Sequence, residues 1–108
     1  MKPLKECKVL VTPTSYGSQD ESLISRLEEK VGEVVYNTTG KPLSSVQLQE
    51  MLDGVDGMIA GLDTIDTAAL IAATNLKVIA RYGVGYQNVD LDVAKKLKIT
   101  VTITPGAN

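Results

Sequence analysis

Histidine is missing altogether from the 108 residues, and so are tryptophan and phenylalanine. The first absence removes the side chain that most often moves protons near neutral pH, and with it the commonest transition-metal ligand. A single cysteine, Cys7, excludes an intramolecular disulfide and any cysteine metal cluster. The four tyrosines, Tyr16, Tyr36, Tyr82 and Tyr86, are too scattered for a base-stacking platform. Excess charge is lacking too, with 11 basic against 13 acidic residues and a net charge of −2. That leaves no positive stripe for a nucleic-acid partner; the densest basic spot, Lys95, Lys96 and Lys98, reads as a solvated helix end. No run approaches the roughly 20 apolar residues of a membrane span, or the shorter core of a signal peptide. A cytoplasmic protein with neither membrane nor nucleic-acid partner is expected.

What is present suits one soluble domain: 44% hydrophobic and 22% charged residues. A chain of this length buries roughly two-thirds of its unfolded surface. Short β-branched runs alternate with helix-period segments. Lys8 to Thr12 reads as a buried strand closed by Pro13. Leu23, Ile24, Leu27 and Val31 then share a helix face, with Asp20 as N-cap and Gly32 as stop. Glu33 to Tyr36 is a second strand. Ser44 and Gln47 have capping-box spacing ahead of Leu48, Met51, Leu52 and Val55 on one face. Gly57 to Ala60 is a third strand, and Asp66 caps a helix through Thr74 that Asn75 stops. Leu76 to Tyr82 is a fourth strand, Asp90 to Leu97 a short helix, and Ile99 to Thr104 a fifth strand broken by Pro105-Gly106.

Five strands with helices between them predict an α/β fold, a flavodoxin-like doubly wound parallel sheet of order 2-1-3-4-5 in three α/β/α layers. Ligands bind such sheets at the carboxyl ends of the strands. The loops after Thr12, Gly61, Tyr82 and Thr104 are therefore the ones that matter.

The third of these loops carries Arg81-Tyr82-Gly83-Val84-Gly85. Two glycines after a strand let the amides of Val84 and Gly85 point outward, a concavity suited to a carboxylate or phosphate. Arg81 adds a charge-assisted contact. On spacing alone the glycines equally well permit a turn and nothing more. The segment is no dinucleotide fingerprint, since Asn88 stands where G-x-G-x-x-G requires its third glycine. Asn88 or Asp90 caps the following helix, and Asp63, after the third strand, reads as a turn residue rather than an acid catalyst. Thr12 to Ser18 is rich in hydroxyls, but Pro13 has no N–H and no lysine completes a phosphate loop.

Arg81 to Asp90, RYGVGYQNVD, paired with Thr104 to Asn108, TPGAN, resembles the D-isomer-specific 2-hydroxyacid dehydrogenases, especially their phosphoglycerate-dehydrogenase-like branch. VLVTPTSYG and NLKVIARYGVGYQNVDLDVAKKLKITV are similar as well, so the resemblance runs over essentially the whole chain. It implies a two-domain, homodimeric enzyme that passes a hydride between NAD and a small 2-hydroxy or 2-oxo acid held in the cleft. Residues 1–104 would be the N-terminal part of the substrate-binding domain, and 105–108 a hinge towards the NAD-binding domain. The resemblance assigns substrate binding to Arg81, Gly83, Val84 and Gly85: the loop amides hold the carboxylate, and Arg81 the substrate's distal group. The family's catalytic histidine, partner acid, catalytic arginine and dinucleotide glycines belong to the inserted domain. No catalytic, cofactor or metal residue is therefore expected here, and the chain alone should be inactive.

A 3-phosphoglycerate-like acid stays open as the substrate, although Gly61-Leu62 stands where several members carry Arg-Ser, which counts against a phosphate, and Gln87 replaces a common aspartate. The helix that would return to complete the lobe is also expected to lie outside the chain, leaving an apolar patch exposed. The alternative function is a stand-alone α/β module that binds small carboxylates without catalysis. Two further occupants of this fold fail on the residues. A receiver domain needs acids at the ends of strands one and three, where Thr12-Pro13 and Gly61 stand; a flavin carrier needs a continuous phosphate loop and aromatic walls.

Overall fold

The computed structural model describes residues 3–12, 28–37, 39, 41–61, 63–82 and 88–104. A 3-10 turn at Leu4–Glu6 precedes β1 (Lys8–Val11), β2 (Glu33–Tyr36), α1 (Ser45–Met51), β3 (Gly57–Ala60), α2 (Thr67–Ala72), β4 (Val78–Tyr82), α3 (Leu91–Lys96) and β5 (Thr100–Thr104). Every strand pair is parallel and the order is β2-β1-β3-β4-β5, as predicted. Parallel neighbours need crossovers, and the apolar stripes of the intervening helices supply a cover for the sheet.

Alternation along the strands puts Leu10, Val35, Met58, Ile79 and Val101 on one face, in register with one another, with Ala60 on the same face one step further on and paired with Arg81. They join Leu48, Leu52, Ala69, Leu70 and Ala94 of the helices in the core. α1 packs on α2, and α3 on both α2 and β5. The opposite face carries Val78, 40% exposed, beside the exposed Thr100 of β5.

Each helix start follows from its cap. Ser44 Oγ accepts from Gln47 N at 3.3 Å and Gln47 Oε1 from Ser44 N at 2.9 Å, the reciprocal box predicted from their spacing. Asp66 accepts from Ala69 N and Asp90 from Val93 N. The choice left open between Asn88 and Asp90 thus falls to Asp90. Several boundaries move inward by a residue or two. α2 ends at Ala72, and β4 begins at Val78 because Leu76 N bonds Ala73 O in the connecting turn, although Leu76 is in the core.

The helix predicted from Asp20 lies mostly outside the described residues; 28–30 are helical and Val31 is buried. Gly32 follows, but space rather than a left-handed backbone requires it: a Cβ there would sit 2.4 Å from Lys5 O. The hinge expected at 105–108 lies outside the described residues.

Candidate functional site

Three polar side chains are buried among the described residues, Thr12 (3% exposed), Asp63 (1%) and Arg81 (5%). All three stand at the carboxyl edge of the sheet, just after β1, just after β3 and near the end of β4. Burying a carboxylate is costly unless its oxygens are satisfied. Here Asp63 Oδ1 accepts from Leu43 N at 2.6 Å, while Oδ2 accepts from the Thr12 hydroxyl and from Gly61 N at 3.2 Å. Gly61 N also reaches Thr12 Oγ1 at 2.9 Å. The turn after β3 is thereby locked to the end of β1 and to the entrance of α1. Asp63 stands after β3 with partners distant in sequence. With 1% exposure and both oxygens engaged, it cannot serve a substrate as a proton donor or acceptor.

Asn88 connects this turn to Arg81. Its Nδ2 donates to Gly61 O at 3.0 Å and to Asp63 O at 2.9 Å, and its Oδ1 accepts from Arg81 Nε at 3.0 Å. The amide can point only one way, since a flip would set its oxygen against two carbonyl oxygens and its NH₂ against a guanidinium. The backbone adds Ile65 N to Asn88 O and Asp90 N to Ile65 O, both at 3.0 Å, a one-rung parallel bridge between Ile65 and Val89.

Arg81 is consequently buried, and does not extend into water. Gly83, Val84 and Gly85 lie outside the described residues, as does the loop from Thr14 to Ser18; Arg81 and Asn88 flank 83–87 on either side. The sequence pattern does not reveal the parts played by Thr12, Asn88 and the amide of Leu43. A hydroxyl ending an otherwise apolar strand is the one signal available for Thr12.

Beside this cluster lies an open groove of about 290 Å³ lined by Thr64, Ile65, Asp66, Asn88, Val89 and Asp90. Its carboxylates are occupied as caps, and each also accepts from a neighbouring helix: Asp66 from Ser45 Oγ at 2.7 Å, Asp90 from Thr67 Oγ1 at 2.8 Å. The Ser45 bond first, and the Ala69 amide second, hold the Asp66 carboxyl below its ordinary value. A groove of that charge does not suit an anionic acid; Arg81 does. Among the described residues no group of three or more His, Cys, Asp or Glu could hold a metal ion, and no helix is long and apolar enough to cross a membrane.

Comparison with known proteins agrees with this frame. Residues 9–108 match the D-isomer specific 2-hydroxyacid dehydrogenase catalytic domain. A glyoxylate reductase of Thermofilum pendens is 38% identical over 84 residues, 77% of this chain and 25% of that protein. Another, of Thermococcus onnurineus, is 34% identical over 106 residues, 97% and 29% respectively. The crystal structure of NAD⁺-bound 3-phosphoglycerate dehydrogenase from Entamoeba histolytica superposes with a TM-score of 0.71 at 29% identity, covering 94% of this chain and 33% of that one. The chain spans about a quarter to a third of the length of these relatives. With that match over nearly all of its length, the chain belongs to the D-isomer specific 2-hydroxyacid dehydrogenase family, as part of its catalytic domain.

Proposed function

We propose that this chain is the N-terminal part of the substrate lobe of an NAD-dependent oxidoreductase acting on a small D-2-hydroxy acid or its 2-oxo partner. Gly83, Val84 and Gly85 receive the anionic end of the acid, and Arg81, which the resemblance gives to the distal group, is read here as a second contact to that same end. The observation that carries this reading is Arg81, the one cation buried among the described residues, held at the edge of the sheet where ligands bind and next to that segment. A guanidinium kept away from bulk water binds a carboxylate more strongly than an exposed one.

The wall after β3 favours an acid without a phosphate. The Gly61 amide is consumed by Thr12 and Asp63, and the buried carboxylate of Asp63 stands behind it. The relatives named as glyoxylate reductases fit that size class.

The described residues do not fit a dinucleotide. Asn88 occupies the position where the fingerprint needs a glycine, and its side chain is fixed by three hydrogen bonds. NAD and the acid–base groups therefore belong to sequence other than this chain, reached through 105–108, and dimer formation belongs to the same larger enzyme. The chain alone binds but does not catalyse.

Titrating ¹⁵N-labelled chain with millimolar glyoxylate tests this. Saturable shifts are expected at the Val84 and Gly85 amides and at Arg81 Nε–H, with no oxidation of added NADH. Silence at those three signals, or NADH oxidation by the chain alone, overturns the reading.

A further inference from the structure

We propose that Asn88, half-buried at the start of the segment leading to α3, is a positioning residue for substrate recognition that sets the orientation of the Arg81 guanidinium. This rests on the preceding assignment of Arg81 to the anionic end of the substrate.

A guanidinium is a planar fork, and pinning its Nε–H fixes the plane in which the other donors lie. Arg81 sits on β4, whose backbone sets only where its Cα lies. The long side chain still has to be held in one rotamer, and arginine carries about 2 kcal/mol of rotamer entropy. Asn88 Oδ1 supplies that constraint at 3.0 Å. Asn88 is itself held, because both of its amide hydrogens are committed to Gly61 O and Asp63 O.

Those two carbonyls belong to the turn that Asp63 locks to Thr12 of β1 and to Leu43 ahead of α1. The orientation of Arg81 is therefore referred to three separate parts of the fold, not to a surface loop. A residue needed only to shape the turn would have to reach the two carbonyls. It would have no reason to present an acceptor to Arg81 Nε as well. Asparagine is the short side chain that offers two donors and an acceptor in one plane, whereas aspartate lacks the donors and serine the second of them.

The test compares wild type, Asn88→Ala and Thr67→Ala, the last weakening the same edge of the sheet without touching Arg81. Two readouts are taken, glyoxylate affinity and the Nε–H resonance of Arg81, which has only Arg26 as a companion arginine in the sequence. In wild type the Arg81 Nε–H is expected to exchange with solvent more slowly than that of free arginine. In Asn88→Ala that protection should vanish and affinity should fall about tenfold, as expected for losing one charge-assisted hydrogen bond. Thr67→Ala should keep both.

If wild type binds no glyoxylate, the substrate-lobe reading fails and the proposal falls with it. If wild type binds and Asn88→Ala binds as well, the lobe reading stands and the positioning role is overturned. An equal loss of affinity in Thr67→Ala makes Asn88 merely structural, which also overturns it. Should Asn88→Ala not fold, Asn88→Asp keeps an acceptor towards Arg81. It should retain the Nε–H signal while its fixed charge weakens glyoxylate binding, and loss of the signal or unchanged binding counts against the proposal.

Discussion

The two edges of the sheet are built by different means. At the amino edge the strands are tied by main chain: Asp56 N to Lys8 O and Lys77 N to Asp56 O, both at 2.8 Å, then Thr100 N to Lys77 O at 2.9 Å. Side chains contribute there too, Asp56 Oδ2 accepting from Lys8 N at 2.8 Å and Lys8 Nζ donating to Asp53 O at 3.5 Å. At the carboxyl edge main-chain bonds such as Thr12 N to Ile59 O and Ile65 N to Asn88 O, both at 3.0 Å, are joined by a network of side chains, with Thr12, Asp63, Arg81 and Asn88 bonding across 2 to 51 residues of sequence. Backbone ties tolerate most substitutions, because every residue but proline carries the same donor and acceptor. Side-chain ties demand particular residues, and they gather at the edge where a parallel sheet binds its ligand.

Asp63→Ala should break the carboxyl edge, and with a larger effect than any other substitution proposed below. It removes the acceptor of Leu43 N and of the Thr12 hydroxyl and one of two acceptors of Gly61 N, at a residue only 1% exposed. Buried donors left unpaired cost about 1–3 kcal/mol each, so a loss of roughly 3 kcal/mol or more is expected in urea unfolding. A loss below about 1 kcal/mol would show that water takes over those donors, and that side chains matter less to this edge than their hydrogen bonds imply.

The amino edge should be vulnerable where backbone meets backbone. Gly32→Ala would place its Cβ 2.4 Å from Lys5 O and 3.3 Å from Cys7 O, with no flexible side chain able to yield. Gly32 N also bonds Cys7 O at 3.0 Å, so relief by moving the chain would strain the start of β2. A cost of about 1–3 kcal/mol is expected in urea unfolding, in the range of overpacked sites. Gly54→Ala makes a contrast, since its Cβ would meet nothing within 4 Å and only the φ of 74° opposes it.

What is legible in the sequence follows the same division. The caps at Ser44, Asp66 and Asp90 can be read because each acts three residues ahead, within the reach of a spacing rule. Strand order follows from parallel pairing and handed crossovers, which depend on the pattern and not on individual side chains. Asn88 cannot be assigned that way, because the choice between cap and bridge depends on where Gly61 and Asp63 lie in space. Likewise, nothing local announces that Thr12 serves a carboxylate 51 positions later. A helix-stop rule picks out Gly32 for the wrong reason, since a close approach by Lys5 is invisible to it.

At the turn from α3 to β5, Lys98 has a φ of 62°, the one non-glycine residue with positive φ among those described. Lys98 N bonds Lys95 O at 3.0 Å and Ile99 N bonds Ala94 O at 2.8 Å, the paired bonds of a Schellman ending. Lysine bears a steric cost in that backbone region that glycine does not. Lys98→Gly should therefore stabilise the chain by about 0.5–1 kcal/mol, part of the gain being offset by the greater freedom of glycine when unfolded. A destabilised Lys98→Gly variant in thermal unfolding would mean that the exposed lysine makes contacts worth more than the backbone strain.

The smallest effect concerns pH and returns to the carboxyl edge. The Asp66 carboxyl lies below its reference value of 3.8, chiefly because Ser45 Oγ donates to it and next because the Ala69 amide does. A carboxylate whose folded value is depressed binds its proton more readily in the unfolded chain. Its contribution is therefore complete above the unfolded value and is lost as pH falls through the folded one. The thermal midpoint of wild type should thus drop towards that of Asp66→Asn as pH is lowered below 3.8, and the gap between the two should be constant above it. Ser45→Ala removes the leading cause and leaves the Ala69 cap, so its acid loss should start at the same unfolded value but be complete at a higher pH, and be smaller in total, than in wild type. If Ser45→Ala and wild type lose stability over the same pH range, the link from α1 to the α2 cap contributes nothing in solution. The side-chain ties of the carboxyl edge would then be confined to the buried cluster around Asp63.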